Sequence, residues 1–486
     1  MSKEKSIQTR ALSGVLWSSI QKFSSIAITF LANVVLARLL TPSDFGCIGM
    51  LMIFISLSNT FIDGGFGSAL IQKKDPSPTD YSTIFYWNIF LSFILYGVLC
   101  LSAPYISAFY NIPLLENVLK VQGIILVVNA LGIIQANQLR KQLEFKKLSE
   151  VEILVAIASL VLAIFAALKG LGVWSLVIQQ ISLSTFRTVL YWVVSKWRPL
   201  ITFSCKSFKE LFNFGSFILL SNLFSTLSNE IQGLFVGKMF SPSLLGYYSQ
   251  AYRLEGSMAT IISGIIDQVT FPIMASIQEE KEWLAKALRR FVQISAFVCA
   301  PLMGMSIVIA RPLIIMIFGS QWSICVPYFQ ILCLAGLAVC LQGTANNSIS
   351  AIGKSKVFFK WTLFKRSLTM ILCVIGIFVA GIYGMLWACV LGAWSVFIIN
   401  AYLVEKYIGY SLLKQVKDIL PFILLATITG FIVCNIGKQL PYNKYIIAIA
   451  QVILYILLYI VGALALKLEV VQYLHNIIIH KIKRNK

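Results

Sequence analysis

Of the basic residues inside stretches that are otherwise apolar enough to cross a bilayer, four could do chemistry: Lys22, Arg253, Lys365 and Arg366. The acids Glu230, Glu255 and Asp267 lie in the same kind of surroundings. An ionisable side chain at the bilayer centre costs about 2.5–3.5 kcal/mol on insertion scales, so each needs a cavity or a partner. Bases in excess of acids in a shared cavity would hold an anion. Guanidinium and ammonium groups grip a phosphate or pyrophosphate through charge-assisted hydrogen bonds. Amide and hydroxyl groups share these helices. Ser18, Lys22, Ser25, Thr29 and Asn33 fall on one helical face, as do Arg253, Ser257, Thr260 and Asp267. Such stripes suit sugar hydroxyls. Lys22, Asn33, Arg253, Lys365 and Arg366 are therefore the candidate substrate-binding residues, with Glu230 and Asp267 as candidates for ion coupling.

Other readings compete with this one. Arg253 with Glu255, Lys365 with Arg366, and Lys120 and Lys360 all lie close enough to span ends to snorkel to the interface. Lys22 fits that explanation less well because it sits on the polar stripe, and Arg187 fits either. The two histidines, His475 and His480, are five apart in a basic tail, whereas helical metal pairs want a spacing of three or four. There is no phosphate loop, no Gly-x-Ser-x-Gly and no long soluble segment to house a catalytic domain. No enzyme, cofactor or metal chemistry is expected. The 10 cysteines contain no Cys-x-x-Cys and mostly fall within apolar spans, where they act as small buried residues.

The elements that must position these groups are transmembrane helices. The chain has 486 residues, 58% of them hydrophobic and only 12% charged, with a mean hydropathy of +0.83. Its apolar blocks run about 20 to 28 residues, long enough for a helix to cross ~30 Å of hydrocarbon, and about fourteen can be placed. They lack the alternation of a membrane barrel, so the fold class is an all-α polytopic membrane protein. The first apolar run, 11–40, follows a charged start but has no Ala-x-Ala site, and is read as a span rather than a signal peptide. A net charge of +21 would suggest nucleic acid in a soluble protein. Here the Lys and Arg residues concentrate in alternate loops, such as 196–209, 281–290 and the 481–486 tail. The positive-inside rule then puts both termini in the cytoplasm and leaves no reason to invoke nucleic acid.

A duplication organises the spans. Arg38-Leu-Leu-Thr-Pro-Ser-Asp-Phe-Gly46 recurs in degraded form as Lys238-Met-Phe-Ser-Pro-Ser-Leu-Leu-Gly246. Each copy keeps a base, a (Ser/Thr)-Pro-Ser turn and a terminal glycine between two apolar spans. The expected organisation is a first lobe over 1–195 (spans 1–6), a cytoplasmic linker over 196–210, a second lobe over 211–404 (spans 7–12), and an appendage of spans 13 and 14 with the tail over 405–486. The glycines of Asp63-Gly-Gly-Phe-Gly allow close packing or a break in span 2. The segment from Glu279 to Arg290 is expected to form a short amphipathic helix.

Several stretches resemble the polysaccharide branch of the MOP superfamily, the Wzx-type flippases of lipopolysaccharide and capsule assembly. They are Leu36-Ala-Arg-Leu-Leu-Thr-Pro-Ser-Asp-Phe-Gly46, Phe66-Gly-Ser-Ala-Leu-Ile-Gln-Lys-Lys74, Gly172-Val-Trp-Ser-Leu-Val-Ile-Gln179, Val236-Gly-Lys-Met-Phe-Ser-Pro-Ser-Leu-Leu-Gly-Tyr-Tyr-Ser-Gln-Ala-Tyr-Arg253 and Phe271-Pro-Ile-Met-Ala-Ser-Ile-Gln278. The resemblance covers nearly the whole chain. It implies translocation of an undecaprenyl-diphosphate-linked oligosaccharide across a bacterial inner membrane by alternating access, beside a polymerase and other glycan-assembly proteins. It carries no motif that fixes each cavity residue, so the site rests on the stripe argument. A multidrug exporter on the same fold would want buried acids to dominate. A membrane glycosyltransferase or ligase would want paired acids facing an exterior cleft.

Overall fold

The computed structural model describes residues 24–277, 280–352, 355–439 and 444–470. Lys22, His475 and His480 lie outside these. Among the described residues all regular structure is helical, and the chain divides into two compact units, Met1–Ser249 and Gln250–Lys486. Among the described residues ten helical stretches are long and apolar enough to cross a membrane, and one of them, Lys360–Ile408, supplies two of the expected spans as its two limbs. Large apolar side chains such as Leu101, Phe217 and Val379 are more than three-quarters exposed, which a lipid-facing surface explains and a water-facing one does not.

The first unit opens with α1 (Ser24–Leu39) and α2 (Pro42–Asp63). The repeated turn starts α2: Thr41 and Asp44 form a reciprocal capping box, with the Thr41 amide donating to Asp44 Oδ2 at 2.9 Å. Gly64 (φ 56°) and Gly65 (φ 72°) then stop the helix in left-handed geometry and release α3 (Phe66–Gln72). The break drives Phe66 and Leu70 into a core with Tyr81, Ile84, Phe85 and Leu211. A second capping box, Ser77 with Asp80, begins α4 (Pro78–Tyr110). Lys73 bridges Asp80 at 3.0 Å and Glu210 at 3.2 Å. Burial works against its charge, but the two carboxylates outweigh that and raise the ammonium pKa above the ordinary lysine value.

Next come α5 (Leu114–Gln122), α6 (Ile124–Lys141), α7 (Phe145–Leu168), α8 (Val173–Val194) and α9 (Cys205–Met239). Helix α6 packs on both α4 and α8, α7 pairs with α8, and α9 packs along α2, α3 and α4. The second copy of the turn starts α10 (Pro242–Ser276). Its Ser241 still caps Leu244, but Leu244 stands where the first copy has Asp44, so the reciprocal half of the box is gone. The two copies meet. A Cβ on Gly46 would fall on the Pro242 carbonyl, and one on Gly246 on the Pro42 carbonyl. This i-to-j, j-to-i reciprocity is what a local twofold relation produces.

The second unit holds the rest of α10 with α11 (Lys281–Val308), α12 (Ala310–Phe318), α13 (Cys325–Ala351), α14 (Ser355–Ile408), α15 (Leu412–Gln439) and α16 (Lys444–Ala465). The basic segment ending at Arg290 is not a helix of its own. It forms the opening turns of α11, because no Gly or Pro separates it from the apolar run that follows. Helix α14 is a hairpin whose limbs fold back at Ala380 and Gly381, and Gly376 and Gly384 let the two backbones touch. Arg289 on α11 holds α15 by a bidentate pair with Asp418 at 2.8 and 2.9 Å, to which Tyr410 and Gln293 also donate. The two-helix appendage is thus fastened to its unit by a polar cluster.

The reciprocal glycine contact makes a stability prediction. Gly46→Ala and Gly246→Ala should each cost about 1–3 kcal/mol, since the added methyl meets backbone that cannot yield easily. Gly97→Ala, where a Cβ has nothing within 4 Å, should not destabilise. Thermal melting of the purified protein in detergent measures the difference.

Candidate functional site

Within the first unit, α2, α6, α7 and α8 line a polar cavity of about 480 Å³. Each wall follows from local sequence. The Gly64-Gly65 stop leaves Asn59 and Asp63 on the last turns of α2. Helix α6 contributes Asn129, Asn137 and Arg140 at helical spacing, with Gly132 small enough that Thr188 packs against its backbone. The α7–α8 hairpin turns at Gly170 and Gly172, both at positive φ, and so sets Glu152 level with Arg187 and Tyr191.

The polar groups form a connected set. Arg187 Nη2 donates to Glu152 Oε2 at 2.8 Å, and the Tyr191 hydroxyl donates to Glu152 Oε1 at 2.7 Å. The Asn129 amide donates to Asn59 Oδ1 at 3.1 Å, Arg140 Nη1 donates to Asn137 Oδ1 at 3.1 Å, and Thr188 donates to the Val128 carbonyl. Two buried donors of this lining, Asn137 Nδ2 and Arg187 Nε, have no acceptor among the described residues. Asn137 is pressed against the bare backbone of Gly67, beside Asp63. Two acids face two guanidinium groups, so the cavity is balanced in formal charge and rich in both donors and acceptors. Such a lining is complementary to a polyhydroxylated group. Of the two guanidinium groups, Arg140 is the exposed one at the cavity's edge, bonded to an amide rather than a carboxylate.

The residues expected from sequence lie elsewhere. In the first unit Asn33 is half-buried on α1 and Glu230 half-buried on α9, and neither lines this cavity. In the second unit Lys365 is buried at 6% exposure, its Nζ donating to Asn400 Oδ1 at 2.6 Å across the α14 hairpin, with Arg366 half-buried beside it. Arg253 is exposed on α10, whereas Glu255, two residues on, is buried. Lys22 and the Asp267 side chain lie outside the described residues. The second unit also carries an apolar groove of about 250 Å³ between α11 and α16, floored by Phe297, Pro301, Tyr455 and Tyr459.

Glu152 went unnoticed in the sequence, and Asp63, Arg140 and Arg187 were not read as one group. The signal was an acid in one apolar span and a base in the next, at similar distances from a tight glycine turn. An antiparallel hairpin places such residues side by side.

Residues 35–327 match the family described as "Polysaccharide biosynthesis protein". The chain is similar to the teichuronic acid biosynthesis protein TuaB of Bacillus subtilis, 27% identical over 89% of this chain and 90% of that protein. It is also similar to the lipopolysaccharide biosynthesis protein WzxC of Escherichia coli, 25% identical over 86% of each. Among solved structures, the lipid II flippase MurJ in an inward closed conformation superposes with a TM-score of 0.73 over 92% of this chain and 98% of its own, at 16% identity. That likeness establishes the fold.

The Glu152–Arg187 pair should be energetically coupled. In a double-mutant cycle, Glu152→Gln and Arg187→Gln should each destabilise more than the double variant implies, with a coupling of about 0.5–3 kcal/mol. Melting of the four proteins in detergent gives the value, and strictly additive effects would contradict the pairing.

Proposed function

The chain belongs to the polysaccharide biosynthesis protein family, and from that premise we propose that it is a flippase for a lipid-linked oligosaccharide. The substrate is an undecaprenyl-diphosphate-linked glycan, carried from the cytoplasmic to the periplasmic leaflet of a bacterial inner membrane by alternating access. Both termini lie in the cytoplasm, and a polymerase and other glycan-assembly proteins work beside it. The observation that carries this reading is the polar cavity of the first unit, with its amides, hydroxyls and guanidinium groups inside an apolar helical bundle. A carbohydrate cannot cross hydrocarbon without such a lining. The apolar groove between α11 and α16 suits an isoprenoid chain.

In this proposal the repeated lobes, 1–195 and 211–404, carry the alternating access. Lys22, Arg253, Lys365 and Arg366 supply a basic path for the diphosphate and Asn33 a neutral hydrogen-bonding group beside it, with α1 and α10 walling the lateral opening through which the polyprenyl tail stays in lipid. Glu230 and Asp267 compete for those bases and reset the path when a cation or proton binds.

Surface glycan in cells lacking the chromosomal gene provides the test. Lys22→Ala and Arg253→Ala should each cut export severely at wild-type protein levels. Arg253→Lys should keep part of it, because the charge remains and only the planar fork is lost. Normal export in both alanine variants would contradict the basic path.

A further inference from the structure

Glu255 differs from every other acid described above. It is 6% exposed, on α10 within the second unit. Its carboxyl occupies the space that Gly336 on α13 leaves open, so close that a Cβ at Gly336 would collide with Oε1. Two buried thiols, Cys333 from α13 and Cys389 from α14, lie within electrostatic reach of it. Helix α11 turns Ser306 toward Met258, one turn along α10. Arg253, on the same helix, is exposed. Among the described residues no base and no hydrogen-bond donor acts on the carboxyl. By contrast, Glu152 has a guanidinium and a phenol, and Asp418 a guanidinium, an amide and a phenol. An ionised carboxylate cannot be held in an apolar cradle without a partner, whereas the neutral acid can.

We propose that Glu255 is a proton-carrying site, neutral in its cradle over Gly336 and deprotonated to water when the surrounding helices part, so that proton release is coupled to the transport cycle. The step is simple: the carboxyl O–H bond breaks, the proton passes to entering water, and the carboxylate that remains is stable only while water or a base reaches it. Re-closure therefore requires a proton from the solution on whichever side the cleft is open. The coupling half of this inference rests on the flippase reading above, but the protonation half does not.

The experiment pairs a spectroscopic and a cellular arm. In full-length protein in lipid bilayers at neutral pH, the infrared difference between wild type and Glu255→Gln should contain the C=O stretch of a protonated carboxylic acid, shifting down in D₂O. Gly336→Ala keeps the acid but evicts it from the cradle, and should lose or shift that band. A difference spectrum holding only carboxylate bands, or a band unmoved by Gly336→Ala, would overturn the neutral cradle. In cells, Glu255→Gln should abolish glycan export at normal protein levels and Glu255→Asp should keep part of it. Wild-type export by Glu255→Gln would overturn the coupling role. If wild type itself restores no glycan export, the flippase reading fails, and the infrared band still decides whether Glu255 carries a proton.

Discussion

A charge inside an apolar bundle must be paired, neutral or wet, and this constraint decides where the polar residues of this protein sit. Each group meets it differently. Arg187 and Glu152 pair within the first unit and draw in Tyr191. Lys365 faces the carbonyl oxygen of Asn400 across the α14 hairpin. Arg289 and Asp418 form a fork that also holds α15. Arg253 reaches the surface, and Glu255 is buried with no partner among the described residues. Because helices satisfy their own backbone, these side chains are the principal polar features left to mark a route for a hydrophilic group.

Helix ends place those side chains, and the ends are written in short motifs. Thr41-Pro42 and Ser77-Pro78 begin helices with full capping boxes. Gly64-Gly65 stops one helix and reorients the next, and Gly381 folds α14 back on itself. The cavity exists because α2 stops where it does and α7 and α8 turn tightly at Gly170 and Gly172. The duplicated turn does more than end helices. Its two glycines admit each other's proline carbonyls, so the repeat becomes a contact between its own copies.

Much of this fold was legible in the sequence. Block length and loop charge specify helical spans, and among the described residues ten helical stretches are long and apolar enough to be such spans, α14 supplying two of the expected places. The glycine break in span 2 was visible as an option because Gly tolerates positive φ. The site was less legible. Stripe arguments rank residues on a single helix, so they favoured Lys22 and Arg253. The cavity instead depends on which helices become neighbours, and no single-helix pattern carries that. Glu152 carries no pattern of its own on α7, and only the neighbouring α8 brings Arg187 and Tyr191 to it. Glu255 looked like half of a surface pair with Arg253, yet two positions on a helix turn side chains to different faces, one outward and one into the cradle at Gly336.

The central claim, that a lipid-linked glycan crosses the bilayer through this protein, is tested most directly by reconstitution. Purified protein is placed in liposomes carrying a polyprenyl-diphosphate oligosaccharide with a labelled sugar, and an added glycosidase reads how much label becomes accessible over time. The account predicts that protein accelerates exposure of the inner-leaflet pool, and that Arg187→Ala, which unpairs the cavity, slows it. Accessibility no greater than in protein-free liposomes would contradict the account.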